Sequence, residues 1–266
     1  MRRIADTFAR LKKDGRRALI PFLTAGDPDC ATTVALLDCL VASGADIIEL
    51  GIPFSDPMAD GPVIQAASLR ALQAGTTLGD VLELVRDFRR RSETPVVLMG
   101  YYNPVLQFGP ERFAEQAAEA GVDGVLLVDL PPEEAEELRP HLQRCGVATI
   151  TLLAPTTPVG RREELAGLAE GYLYYVSMTG VTGAARVDAG AIAAEVEQVR
   201  QCSQVPVAVG FGITTPQDAA AVAGFADGVV VGSALVRVIA EHGGTDRLLD
   251  EVSAFVRALR QGIDGA

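Results

Sequence analysis

The stretch Asp46–Gln65, DIIELGIPFSDPMADGPVIQ, decides how the rest of this 266-residue chain is read. Residues 46–50 form a short run that opens on Asp46 and is apolar from there on except for one interrupting carboxylate, Glu49. Strands of a parallel sheet are buried on both faces and are normally apolar throughout. An unpaired charge in such a strand costs several kcal/mol, so a Glu there needs a reason. A loop rich in Gly, Pro and Asp follows and ends in Asp60-Gly61-Pro62. Beyond it, Val63, Ala66, Ala67, Arg70 and Ala71 set out a helix. The stretch reads as strand, loop, helix, with one carboxylate at the strand's C-terminal end and a second closing the loop. Ligands of parallel α/β sheets bind at that edge, so Glu49 and Asp60 form a candidate acid–base pair. On the residues alone, Glu49 reads equally as a core-edge Glu paired with an Arg. Asp60 reads more simply as the cap of the helix after it.

Outward from this unit the same alternation repeats. Apolar strands are predicted at 18–23, 46–50, 95–100, 122–128, 147–152, 172–177, 205–209 and 228–231. Helical patterns separate them: 29–43, 62–74, 78–90, one from Pro110, 133–144, 159–170, and 189–201 behind an Asp188 cap. A further helix follows Thr215-Pro216, a short one opens at Ser233, and Thr245 is expected to cap the last. The turn Tyr101-Tyr102-Asn103-Pro104 after the third strand reads as loop. Eight βα units without a linker or composition shift fit one closed (β/α)8 TIM barrel over residues 1–266, rather than a doubly wound open sheet. Ile4, Phe8 and Leu11 recur at helical spacing, which adds an N-terminal helix placed to cover the barrel's bottom.

Composition narrows the function classes. The net charge of −12 argues against nucleic-acid binding, because no wide basic face would neutralise phosphate. An anionic ligand must then be held by local groups. Cys30, Cys39, Cys145 and Cys202 form no Cys-x-x-Cys or Cys/His cluster and read as reduced helix residues of a cytoplasmic protein with no metal site. His141 and His242 fall in helical, solvated surroundings, which leaves little material for a Ser-His-Asp triad. The N-terminus MRRIADTFARLKKDG reads as a charged amphipathic helix and not a signal peptide. No apolar run is long enough to span a bilayer, so no membrane association is expected.

Three Gly-rich turns follow the sixth, seventh and eighth strands: Gly180-Val181-Thr182-Gly183, Gly210-Phe211-Gly212-Ile213 and Gly232-Ser233. Glycine lets backbone N–H groups approach an anion, and a helix starting at Ser233 points its positive end at the same place. Barrels often bind phosphate in this corner, although plain tight turns would look the same. Phe22 and Phe211 can supply flat apolar faces, and Leu98, Leu126 and Leu152 are plausible pocket walls that could equally fill the barrel interior. The segment 178–188, long for a βα loop and without apolar periodicity, reads as a lid over the 53–60 loop.

The long motif ELGIPFSDPMADGPVIQ, preceded by Pro21-Phe22-Leu23-Thr24-Ala25-Gly26-Asp27-Pro28 and followed by the Gly180 and Gly210 turns, resembles the tryptophan synthase alpha chain family over about residues 4–262. The resemblance implies a lyase that cleaves indole-3-glycerol phosphate to indole and glyceraldehyde 3-phosphate by retro-aldol chemistry in L-tryptophan biosynthesis. It implies Glu49 and Asp60 as the catalytic pair. Tyr174 matches a substrate-contacting position, and its neighbour Tyr175 must point the opposite way. Thr182 matches a loop position close to Asp60. The implied substrate-binding set is Phe22, Tyr174, Thr182, Gly183, Phe211, Gly212, Gly232 and Ser233. Met178 stands where some members carry Arg, so a role resting on that Arg does not transfer. The implied partner is a beta subunit in an alpha2beta2 heterotetramer. Pyridoxal phosphate belongs to that partner, with no cofactor in this chain. Pro57 and Asn103-Pro104 are the implied contact candidates. The alternatives are a stand-alone indole-3-glycerol phosphate lyase that releases free indole and a non-catalytic regulatory barrel subunit.

Overall fold

A computed structural model describes residues 2–176, 189–210 and 212–266. Helix α1 (Arg2–Lys13) precedes β1 (Ala18–Thr24), α2 (Cys30–Ala42), β2 (Ile48–Gly51), α3 (Pro62–Gln73) and α4 (Leu78–Arg89). Then come β3 (Val96–Gly100), α5 (Tyr102–Phe108), α6 (Pro110–Ala120), β4 (Gly124–Leu127) and α7 (Arg139–Cys145). The second half holds β5 (Ala148–Thr149), β6 (Thr151–Leu153), α8 (Val159–Leu168), β7 (Leu173–Val176) and α9 (Ala189–Cys202). It ends with β8 (Val207–Gly210), α10 (Pro216–Ala223), β9 (Gly228–Val231), α11 (Ser233–His242) and α12 (Leu248–Asp264).

Every strand pair is parallel, in the order β5-β4-β3-β2-β1-β9-β8-β7-β6. β5 and β6 are the two halves of the predicted fifth strand, separated at Ile150. The first half pairs with β4 and the second with β7, so the ring closes through that strand. The expected eight-stranded barrel is therefore the observed one, with its fifth strand passing from one neighbour to the other.

Strand alternation sorts side chains into two layers. Ile20, Ile47, Val97, Leu126, Tyr172, Tyr174, Ala208 and Val230 meet inside the ring, and Ile4, Phe8 and Leu11 of α1 join them from below. The rings of Phe8 and Tyr172 lie 6.0 Å apart, so α1 plugs the bottom as expected. Leu19, Leu50, Leu98, Tyr175 and Val209 face outward against the helices. Leu98 is thus not a pocket wall: Val97 turns inward, which sends the next residue to the helix layer. Leu126 fills the interior instead of lining the pocket.

Three helix expectations are corrected. The predicted helix 133–144 is a short 3-10 turn over residues 135–137, with α7 starting only at Arg139. Pro140 has no N–H for a continuing helix and its ring would crowd the preceding turn. Tyr102–Phe108 is helical where a loop was expected, and the Tyr102 N–H donates to Asp129 Oδ1 at 2.8 Å. Thr245 does not cap α12. That N-cap is Arg247, and the Thr245 hydroxyl donates to the His242 carbonyl at 2.8 Å. The four cysteines are free and lie on helices. Among the described residues no helix is long and apolar enough to cross a membrane.

At the bottom rim one arrangement recurs four times. A carboxylate just before a strand accepts a backbone N–H of the preceding strand of the ring. Asp46 takes Leu19 at 3.0 Å, Asp123 takes Val96 at 3.0 Å, Glu170 takes Thr149 at 2.9 Å and Asp227 takes Val207 at 3.0 Å. Each carboxylate also meets an arginine: Arg260, Arg89, Arg139 and Arg200 respectively. Asp123 is the most enclosed of the ion pairs, with Arg3 as a second partner at 3.1 Å. Removing one side of a buried pair leaves the other charge uncompensated. Asp123→Ala is expected to lower unfolding free energy in urea by roughly 3–5 kcal/mol, and Asp123→Asn by less, because an amide oxygen still accepts the Val96 N–H. A loss for Asp123→Ala below about 1 kcal/mol, the range of an exposed pair, would remove this role.

Candidate active site

Glu49 sits on β2 between the outward-facing Ile48 and Leu50, so its side chain points into the ring. It is fully buried. The Tyr172 hydroxyl donates to Glu49 Oε1 at 2.6 Å, and Oε2 has no hydrogen-bond partner. No arginine pairs with it among the described residues, which removes the core-edge ion-pair reading. Burial raises the Glu49 pKa from 4.5 to about 7, with the Tyr172 hydrogen bond pulling the other way.

Asp60 does not cap α3. The N-cap is Gly61, with no side-chain cap bond, and Pro62 opens the helix. The Asp60 carboxyl is instead buried, only 8% exposed. Burial raises its pKa from 3.8 to about 6, against a hydrogen bond from Tyr101. The Tyr101 hydroxyl also accepts the Ala59 N–H at 3.0 Å, and the Phe54 ring lies 5.3 Å from the Tyr101 ring. The loop between β2 and α3 is therefore fastened to the end of β3. Below it, Arg70 of α3 grips Asp27 with two bonds of 2.7 Å, tying α3 to the end of β1.

Both carboxylates open into one cavity of about 250 Å³ at the C-terminal end of the strands. Phe22, Tyr174, Gly212, Gly232 and Ser233 line it too, as do Leu152, Ile64 and Met99. Thr182, Gly183 and Phe211, together with the expected lid at 178–188 and the Asp188 cap, lie outside the described residues. Tyr174 faces inward while Tyr175 faces the helix layer and bonds Glu195, as the alternation required. Gly210 makes room for Tyr174: a Cβ there would lie 2.2 Å from the tyrosine hydroxyl. Gly212 has φ +75°, a left-handed conformation that a branched residue resists. α11 begins at Ser233 behind Gly232, with no side-chain cap and no acidic residue in its first turn. Its first N–H groups are thus uncapped donors at the cavity wall.

Three residues beside the expected set complete the site. Tyr172 and Tyr101 hold the two carboxylates. Arg237 of α11 also lines the cavity. Tyr172 stands two residues before Tyr174 and so shares its face, the one signal in the sequence that could have pointed to it. Tyr101 offered no such signal.

The family model for the tryptophan synthase alpha chain matches residues 8–264. The tryptophan synthase alpha chain of Geobacter sulfurreducens is 57% identical over 263 residues, covering 99% of both chains. That of Xylella fastidiosa is 54% identical over 265 residues, again with 99% of each covered. The crystal structure of tryptophan synthase subunit alpha from Legionella pneumophila is 47% identical, with a TM-score of 0.91 over 99% of both chains. A Mycobacterium tuberculosis tryptophan synthase structure is 36% identical, with a TM-score of 0.90 over 98% of this chain and 97% of that one.

The raised Glu49 pKa has a consequence for stability. The folded value, about 7, lies above the ordinary 4.5. Glu49 therefore contributes most below about pH 4.5, and that contribution is lost as pH rises through about 7. Glu49→Gln cannot ionise. The variant is expected to match the parent in unfolding free energy near pH 4 and exceed it by roughly 2–3 kcal/mol at pH 8. Parallel pH–stability curves for the two proteins would contradict the buried, titrating Glu49.

Proposed function

The chain belongs to the tryptophan synthase alpha chain family, a family of lyases in tryptophan biosynthesis, and from that premise we propose that it cleaves indole-3-glycerol phosphate with Glu49 and Asp60. The observation that carries this reading is a buried Glu with a pKa near 7, in the same cavity as a second buried carboxylate and an uncapped helix N-terminus.

The chemistry asks for one group that gives and then takes a proton. The C–C bond to indole breaks once indole C3 is protonated, and the glycerol hydroxyl loses its proton as the aldehyde forms. Glu49 supplies the first proton and receives the second, so the enzyme ends the turnover as it began. A pKa near neutrality suits both directions. Tyr172 holds one Glu49 oxygen and leaves the other free for the transfer. Asp60 accepts the indole N–H and stabilises the positive charge that builds on the ring, most strongly where water is excluded. Phe22 and Leu152 offer apolar surface to the indole. Gly212, Gly232 and Ser233, with Gly183 from outside the described residues, hold the phosphate, while Phe211 and Thr182, also outside them, are assigned to the indole face and to Asp60 respectively.

Indole passes to a beta subunit in an alpha2beta2 complex in the cytoplasm, and pyridoxal phosphate resides in that subunit. The exposed surface above β2 and β3 supports docking there. Met58 is 78% exposed and Leu106 is also exposed, beside Pro57 and Asn103-Pro104.

The deciding assay is release of glyceraldehyde 3-phosphate from indole-3-glycerol phosphate, with and without a beta subunit. Glu49→Gln is expected to cut turnover by roughly 10²–10⁴-fold with substrate affinity little changed. Near-parental turnover would remove Glu49 from the mechanism. Gly212→Val is expected to raise KM for the phosphorylated substrate, since a branched Cβ crowds the anion's approach at a positive φ. Unchanged affinity for a phosphate-bearing ligand would place the phosphate elsewhere.

A further inference from the structure

The phosphate corner leaves an electrostatic problem. The chain carries a net charge of −12, and two carboxylates line the cavity that must admit a phosphate dianion. Backbone N–H groups bind an anion at contact, but their partial charges fall off within a helical turn. Among the described residues that line the cavity, one carries a full positive charge: Arg237.

Its placement follows from helix geometry. Arg237 is four residues after Ser233 on α11, so the two share a face one turn apart. Helical Cα–Cβ bonds tilt toward the N-terminus, and a long side chain covers the turn before its own Cα. The guanidinium of Arg237 is therefore carried back toward Ser233 and the uncapped end of α11. Its charge is also uncommitted among the described residues. Arg3, Arg70, Arg89, Arg200 and Arg260 all sit on carboxylates. Arg237 is exposed and pairs with none among the described residues.

We infer that Arg237 is a specificity residue that draws the substrate's phosphate into the corner formed by Gly212, Gly232 and Ser233 and discriminates for a phosphorylated substrate. The inference rests on that corner binding the phosphate. An exposed arginine acts through solvent, so it contributes to capture more than to the chemical step and is screened by salt.

The test compares the parent, Arg237→Gln, Arg237→Lys and Gly212→Val at low and high ionic strength. Its readouts are kcat and KM for indole-3-glycerol phosphate, inhibition by glycerol 3-phosphate, and turnover of the unphosphorylated indole glycerol. Arg237→Gln is expected to raise KM about 3- to 10-fold at low salt, with kcat within about twofold. It should weaken glycerol 3-phosphate inhibition by a similar factor and flatten the salt dependence of KM. Arg237→Lys should restore part of the effect, and turnover of the unphosphorylated substrate should not respond. If Gly212→Val raises KM while Arg237→Gln leaves KM and its salt dependence unchanged, the corner stands and the inference falls. If neither variant affects phosphate-dependent binding, the corner itself is wrong and the inference goes with it. An equal KM increase for phosphorylated and unphosphorylated substrates would also overturn it, since that pattern belongs to a packing defect.

Discussion

The barrel depends on how its parallel strands begin. At the N-terminal rim a strand's first N–H groups have no ladder partner on one side, and a buried N–H without an acceptor costs free energy. Here a carboxylate from the neighbouring strand's lead-in supplies the acceptor, and an arginine from the helix layer neutralises the carboxylate. The device occurs at every second strand of the ring, through Asp46, Asp123, Glu170 and Asp227. With α1 plugging the centre of the same end, the floor is held by charge, hydrogen bonds and apolar packing together. The opposite end is thereby left free to carry loops chosen for chemistry, as in other barrels.

Carboxylates in the same molecule are treated in two opposite ways. Those of the floor receive arginines and backbone donors and remain satisfied. Glu49, deeper in the interior, receives one phenol and nothing else. Burial without a counter-charge raises its proton affinity toward neutrality. That is an unfavourable placement for folding and a favourable one for proton transfer. Just ahead of β2, Asp46 is thus met by an arginine and a backbone donor, while Glu49 within β2 has neither among the described residues, with only two residues between them.

The barrel was legible because eight apolar runs alternated with helical periodicity, and the Glu49 position because a charge in such a run is conspicuous. What the sequence withheld was of three physical kinds. The phase of alternation cannot be read from a run apolar on both faces, so Leu98 looked as eligible for the pocket as Leu152. Partners far apart in the chain leave no local trace: Tyr172 is remote from Glu49, and Tyr101 from Asp60. Local signals were also overridden by context. Pro140 split a periodic helix, Asp129 helped open one at Tyr102, and Thr245 went to a turn instead of a cap.

The passage of the fifth strand from β4 to β7 has a mechanical consequence. No residue of that strand is laddered on both sides, so the ring behaves as two half-sheets joined by a full seam between β1 and β9 and a staggered one at Ile150. Glu49 belongs to one half-sheet and Tyr172 to the edge of the other. Their 2.6 Å hydrogen bond spans the interior between the halves. The Tyr172 hydrogen bond lowers the proton affinity of Glu49, so a longer bond would leave that affinity higher. The acid strength of Glu49 is thus set in part by a contact between two separate stretches of the ring, not by its own strand alone.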